Sequence, residues 1–335
     1  MANKNNDEVF TLIKSLSRSE KRYFKRYALI NGMKKKNNYL RLFKAMERMK
    51  GYDEKKLKIK FRGETFTKQI HVTKVYLYKI ILRSMRAFHA ENSTASGIRG
   101  MLSDVAFLHQ KGINAGCRKL IRKAKKEAYK YEKHILLLDI MSWEEMLLHA
   151  EGSAGLSENK IREFFSERKL ITDLHRNENE YRYFHFIIFH FMSQQAFLPH
   201  SKKALGQYQK MADQFARGGE DRALTYRSRF HYFLANANYH FYCRSYALSN
   251  KYYEKVVAWT ESNPQFLEES PFAYVNNLYN LALTYERIRE YKTAIALFQK
   301  IRALLPSGSI KTIKVCVSCI QAGKVSKPSR AKQPQ

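Results

Sequence analysis

Four groups of residues in this 335-residue chain carry side chains that could do chemistry. His185 and His190 are the first, since paired imidazoles can hold a metal or pass a proton. They stand five apart in an apolar stretch, and on a helix that spacing turns them away from each other, so they read as boundary histidines. Glu144 and Glu145 follow Trp143 and could form an acid–base pair. Adjacent residues on a helix diverge, which makes them a poor one. Cys316-Val-Ser-Cys319 is a lone CxxC with neither a second pair nor histidines at zinc spacing, and it reads as incidental. The fourth group is a basic run, Arg118, Lys119, Arg122, Lys123, Lys125, Lys126, Lys130 and Lys133, with Tyr129 and Tyr131 inside it. Placing Arg118, Arg122, Lys125 or Lys126, and Lys133 on one helical face would suit phosphate contacts and base stacking.

The sequence contains no G-x-G-x-x-G, no G-x-x-x-x-G-K-[ST], no H-E-x-x-H and no G-x-S-x-G. The expectation is therefore a non-enzymatic protein with no cofactor and no metal. No apolar segment of signal-peptide length follows the start, and the most apolar window, Phe184 to Met192, is far shorter than the ~20 residues of a membrane span. That window is expected as a buried core helix, and the chain as cytoplasmic.

The formal charge is +31, and it is unevenly spread. Residues 1–90 hold 24 Lys/Arg against 7 Asp/Glu, whereas residues 136–305 hold 21 against 19. The basic first third is expected either to face a polyanion or to be a lysine-rich solvated surface. Few Gly and Pro and a 44% hydrophobic content favour a packed helical chain.

Helical periodicity places these residues. Val9, Phe10, Ile13 and Leu16 make one apolar stripe, and Ser17 and Glu20 form a capping box before Tyr23, Phe24 and Tyr27. Asn31-Gly32 closes that helix; Tyr39, Leu42, Phe43 and Met46 give the next. Asp53 caps a short helix broken at Arg62-Gly63, and Thr67 opens a longer one to Phe88. On it Lys79, Arg83 and Arg86 fall on one cationic stripe, and the Asp53–Phe88 run has the length of a helix-turn-helix. Asn92 to Gly97 is polar and small, and is taken as the domain boundary. Further breaks are expected near Gly112, Gly152–Gly155, Pro199, Gly218-Gly219 and Asn263-Pro264, with 136–215 forming helix pairs.

An internal repeat organises the C-terminal half of the chain. Leu278, Leu281, Ala282, Tyr285, Tyr291, Ala294, Phe298 and Pro306 resemble one tetratricopeptide repeat at that family's spacing; Leu278 stands where Trp is common and Ile301 where Ala is usual. The signature recurs 45 residues earlier, with Ala237, His240, Tyr246, Ser249, Tyr253 and Lys255 preceding Ala282, Tyr285, Tyr291, Ala294, Phe298 and Lys300. The eleven residues beyond the usual 34 sit between Trp259 and Phe272, and a weaker copy is Leu108, Gly112, Cys117, Ile121 and Ala124.

The chain is expected to be all-α. Charge and periodicity give a basic helical domain over 1–92, and composition gives a basic disordered tail over 307–335 with a β-leaning stretch from Ile310 to Ile320. The resemblance implies a tetratricopeptide-like α-α superhelix over 93–306. It also implies a protein or peptide partner held on the first helices, at Leu234, Asn238, Phe241, Asn276, Tyr279, Leu283 and Glu286. Leu234 and Tyr279 stand where the chaperone-tail version of the family has Lys. The alternative is a nucleic-acid-binding regulator acting through Lys79, Arg83, Arg86, Arg118 and Arg122. The outer edge of the last repeat, with Phe298 and Ile301, is expected to be open for self-association.

Overall fold

A computed structural model describes residues 7–30, 38–89, 93–150, 157–195 and 219–304, with Gly206 and Lys210 between them. Among the described residues all regular structure is helical. The chain divides into two compact units, Met1–Gly100 and Met101–Gln335. The expectations at Asn31-Gly32, Gly152–Gly155, Pro199, Gly218, Pro306 and the tail with Cys316 and Cys319 lie outside the described residues.

In the first unit each helix start has a chemical cause. Asp7 accepts the Phe10 N–H at 3.1 Å and opens α1 (Glu8–Ser15). The Ser17 N–H donates to Glu20 Oε2 at 2.7 Å while the Glu20 N–H donates to Ser17 Oγ at 3.3 Å, so both halves of the capping box open α2 (Arg18–Ile30). α3 (Asn38–Arg48) follows, then α4 (Glu54–Lys60), whose Asp53 cap accepts from Lys56 N–H at 3.1 Å. Gly63 turns the chain at φ +85°, a left-handed conformation that glycine adopts at the least steric cost. α5 (Ile70–His89) begins three residues beyond Thr67. Thr67 instead ends a 3-10 turn, Thr65–Thr67, because its hydroxyl donates to the Phe61 carbonyl at 2.7 Å. The link between α4 and α5, residues 61–69, is thus longer than the roughly 3–4-residue turn of a helix-turn-helix.

These helices close over Ile13, Phe24, Leu42, Phe43, Met46, Leu57, Leu77 and Ile81, with the Phe24 and Phe43 rings 4.4 Å apart. Each such side chain contributes about 1.5–3 kcal/mol by leaving water. One charge is buried with them. Lys74 donates to Asp7 Oδ2 and Tyr52 OH, both at 2.7 Å, and to Glu54 Oε2 at 3.2 Å. Burial pulls the ammonium pKa down, but these three partners outweigh it and the net shift is upward. Lys74 therefore ties the starts of α1 and α4 to α5 as a cation.

The polar stretch taken as a boundary is partly helix. Thr94–Gly97 form the first turn of α6 (Thr94–Gln110), where Ser93 Oγ accepts the Ser96 N–H at 3.4 Å, and the division between the two units falls a few residues further on, after Gly100. α7 (Asn114–Lys130), α8 (His134–Ala150) and α9 (Glu158–Gln195) follow. α9 runs unbroken for 38 residues, about 57 Å, where helix pairs were expected. Within it Phe184 and Ile188 are buried but Tyr183, Phe186 and Phe189 are exposed, so the most apolar window buries one face only.

The remaining helices are α10 (Tyr226–Tyr242), α11 (Tyr246–Glu261), α12 (Pro264–Glu269), α13 (Pro271–Arg287) and α14 (Tyr291–Leu304). The extra residues between Trp259 and Phe272 fold into α12, whose Phe266 stacks on Tyr226 at 3.8 Å and 4°. Prolines open both α12 and α13 at the first turn, where a missing N–H costs nothing.

Four corners in this unit share one backbone construction, the α7–α8 corner at Glu132 (φ +47°, Lys133 N–H to Ala128 carbonyl at 2.8 Å) among them. The other three add a buried pair to it. α6 turns into α7 at Gly112 (φ +71°), α10 into α11 at Arg244 (φ +60°) and α13 into α14 at Arg289 (φ +67°). In each, the N–H after the left-handed residue returns to the carbonyl five residues back: Ile113 to Leu108 at 3.0 Å, Ser245 to His240 at 2.9 Å, Glu290 to Tyr285 at 2.9 Å. Seven residues before each corner lie Val105, Ala237 and Ala282, and five after lie Cys117, Ser249 and Ala294, all buried. Ser249 Oγ donates to the Ala237 carbonyl at 2.8 Å, and Cys117 Sγ makes the matching contact with the Val105 carbonyl at 3.6 Å. Small side chains at those two places let the paired helices approach closely.

On α14, Ile301 is buried against the core formed by Ala237, Tyr253, Val257, Leu278 and Leu281, contrary to the open edge expected of it. Tyr291, Ile295 and Phe298 are exposed.

Candidate functional site

A cleft of about 230 Å³ lies among α9, α10, α11 and α13. α10 supplies Leu234, Asn238 and Phe241, which recur at helical spacing on one face; α13 supplies Asn276, Asn280 and Leu283 in the same way. α9 adds His185 and Phe189, and α11 adds Tyr253. Five of the residues anticipated from the repeat register, Leu234, Asn238, Phe241, Asn276 and Leu283, therefore meet in one place. Two do not line it. Tyr279 is half-buried with its ring 5.9 Å from Phe298, and Glu286 is exposed near the end of α13.

The back of the cleft is a chain of polar contacts. Tyr253 OH donates to Asn238 Oδ1 at 2.5 Å, Asn238 Nδ2 lies 3.4 Å from His185 Nε2, and His185 Nδ1 lies 3.2 Å from His231 Nδ1. With Asn238 donating, His185 must accept at Nε2 and donate from Nδ1, so His231 accepts at Nδ1. Burial, reinforced by the Arg182 charge, pushes His185 down to about 4. Burial again, with His185 and Arg182 adding to it, pushes His231 down to about 3. Both imidazoles are neutral at pH 7. Asn276 and Asn280 make no side-chain hydrogen bond to another described residue, so their amides are available to a ligand.

His231 also lines a second cavity, of about 140 Å³, with Arg182, Tyr226, Arg227 and Asn277. The His185–His231 contact thus joins the two. Asn277 is 3% exposed, and its Nδ2 has no acceptor among the described residues. Arg227 is held by Glu269 at 2.8 Å, and Arg182 is exposed. From Arg227 to Asn238 along α10 is about 16 Å, the reach of roughly five extended residues. The second cavity carries Arg182 and Arg227 beside Glu269, whereas the first is lined by amides and apolar side chains.

His185 escapes notice in the sequence because the natural comparison is with His190 on its own helix, whereas its partner is 46 residues away. Asn280 was legible, one turn beyond Asn276 on the same face. Tyr253 carried a core signature and no sign that its hydroxyl reaches Asn238.

The residues of the nucleic-acid alternative fall in both units. Lys79, Arg83 and Arg86 are exposed on α5. Arg118 and Arg122 line a cleft of about 600 Å³ in the second unit with Lys160 and Phe164, and also with Glu144, Glu163 and Glu167. Lys125 is held there by Glu144 at 2.8 Å and Glu167 at 2.9 Å, and Lys133 pairs with Glu269, so neither joins the cationic face expected of them. Tyr129 donates to Glu167.

No known family profile matches the chain, and no solved structure matches it. Over 29 residues it is 55% identical to large ribosomal subunit protein bL28 of Thermotoga sp. (strain RQ2), and equally to that of Thermotoga maritima. The stretch is 9% of this chain and spans 41% of those proteins' length. No helix among the described residues is long and apolar enough to cross a membrane.

Proposed function

We propose that this protein is a non-enzymatic scaffold of the tetratricopeptide kind that holds an extended segment of a protein partner between α9, α10 and α13. The observation that carries the reading is the meeting of Leu234, Asn238, Phe241, Asn276 and Leu283 in one cleft. The repeated corner, with its small buried pair across three of the four hairpins, supports the solenoid arrangement. Asn276 and Asn280 hydrogen-bond the partner's backbone, while Leu234, Phe241, Leu283 and Phe189 take its apolar side chains. Arg182, exposed at the second cavity, favours a partner with an acidic residue about five positions away from those apolar ones.

Selection of peptides from a displayed random library against the full chain tests this. Enriched sequences should carry that spacing, and the double substitution N276A/N280A should weaken them about tenfold, the loss of two hydrogen bonds near 0.5–1.5 kcal/mol each. Enriched peptides that bind the double variant equally well would defeat the reading. The second reading, a nucleic-acid-binding regulator, is supported by the exposed Lys79, Arg83 and Arg86 on one face of α5. Fluorescence anisotropy of labelled duplex across a salt series tests it. Neutralising all three should flatten the log–log slope by about 2.7, and a slope left unchanged would set this reading aside.

A further inference from the structure

We infer that His134, His175 and Glu178 form a binding site for a borderline divalent cation such as Zn2+. The three come from two helices: His134 is the first residue of α8, and His175 and Glu178 stand at i and i+3 on one face of α9. One ligand atom from each lies within 4.8 Å of the others. His134 and Glu178 are 5% and 7% exposed, and His175 is half-buried, which leaves one side open for a water as fourth ligand.

The one close separation fits two ligands of a shared metal as well as it fits a long ion pair. His134 Nδ1 lies 3.3 Å from Glu178 Oε2, beyond the ~2.9 Å optimum of an N–H to O hydrogen bond. Two ligands bound at about 2.0 Å in tetrahedral geometry are about 3.3 Å apart, which is the separation here. His175 Nε2 is 3.0 Å from the Asn179 side-chain amide, one turn further along α9. For Nδ1 to bind a metal, Nε2 must carry the proton and donate outward, so metal binding requires the Asn179 amide to turn and present Oδ1 to it. Two imidazoles and one carboxylate suit Zn2+ or Co2+, whereas Mg2+ and Ca2+ require a shell of oxygens. Arg227 and Lys133 share the single Glu269 and Arg182 acts on Glu178 as well, so a bound cation must outweigh a net positive surround.

The site was invisible in the sequence because its first ligand is 41 residues from its second. The test uses the full chain, stripped with chelator and carrying C316S and C319S so that the tail cysteines cannot take the metal. Calorimetric titration should show one equivalent of Zn2+, and Co2+ should give the visible absorption of a four- or five-coordinate site. H175A and E178Q should each weaken binding by about tenfold or more, while H190A leaves it unchanged. Circular dichroism checks the fold of each variant, and E178Q decides alone if H175A unfolds. Absence of a one-to-one site, or binding that survives E178Q undiminished, would overturn the assignment.

Discussion

The hairpins α10–α11 and α13–α14 carry the same signature 45 residues apart and turn through the same corner, yet equivalent residues meet different fates. Tyr253 is 4% exposed and its hydroxyl joins the back of the cleft, while its counterpart Phe298 is 38% exposed and lies edge-on to Tyr279. Ser249 donates to the Ala237 carbonyl across the first hairpin; Ala294 faces Ala282 across the second with no such bond. His231 on α10 belongs to the buried imidazole pair, and its counterpart Asn276 on α13 offers an amide to the cleft. The signature therefore specifies how two helices join. What lies on either side of the hairpin decides whether a given position becomes core, surface or site.

The largest effect that could break this comparison is at the aromatic position. Tyr253→Ala should destabilise by about 4 kcal/mol and Phe298→Ala by about 1 kcal/mol, measured by denaturant unfolding. Equal losses would mean that Phe298 is as buried in solution as Tyr253. The imidazole pair gives the next effect. Both folded pKa values, about 4 and about 3, lie below the unfolded value near 6.5, so below pH 6.5 the unfolded chain binds more protons. Stability should be full above that pH and fall by on the order of 3 kcal/mol by pH 5, and H231N, which installs the residue of the other hairpin, should reduce that dependence. An identical pH profile in H231N would detach the histidines from the effect. The smallest test concerns what the hairpins share. Arg244→Gly and Arg289→Gly relieve the same left-handed backbone, so each should raise stability by up to about 1 kcal/mol, and by similar amounts.

Local chemistry was legible in the sequence and long-range pairing was not. The Ser17–Glu20 box, the Asp53 cap and the Gly112 corner each follow from side chains within a few residues of the groups they satisfy. So did five cleft residues, because a repeat register carries helix faces from one copy to the next. Thr67 misleads because a hydroxyl that caps a helix and one that ends a turn look alike until the acceptor is known. The basic run on α7 misleads for a related reason. The glutamates that hold Lys125 and Lys133 come from α8, α9 and α12, far along the chain.

The polar chain behind the cleft has a direction. Running from Tyr253 through Asn238 and His185, it obliges His231 to keep its proton on Nε2, so the arginine-lined cavity gains a donor without gaining charge. Turning the Asn238 amide over would reverse every link and convert His231 Nε2 from donor to acceptor. A ligand that grips Asn238 in one cavity thereby chooses which hydrogen-bonding partner the other cavity will accept, with no helix having to move.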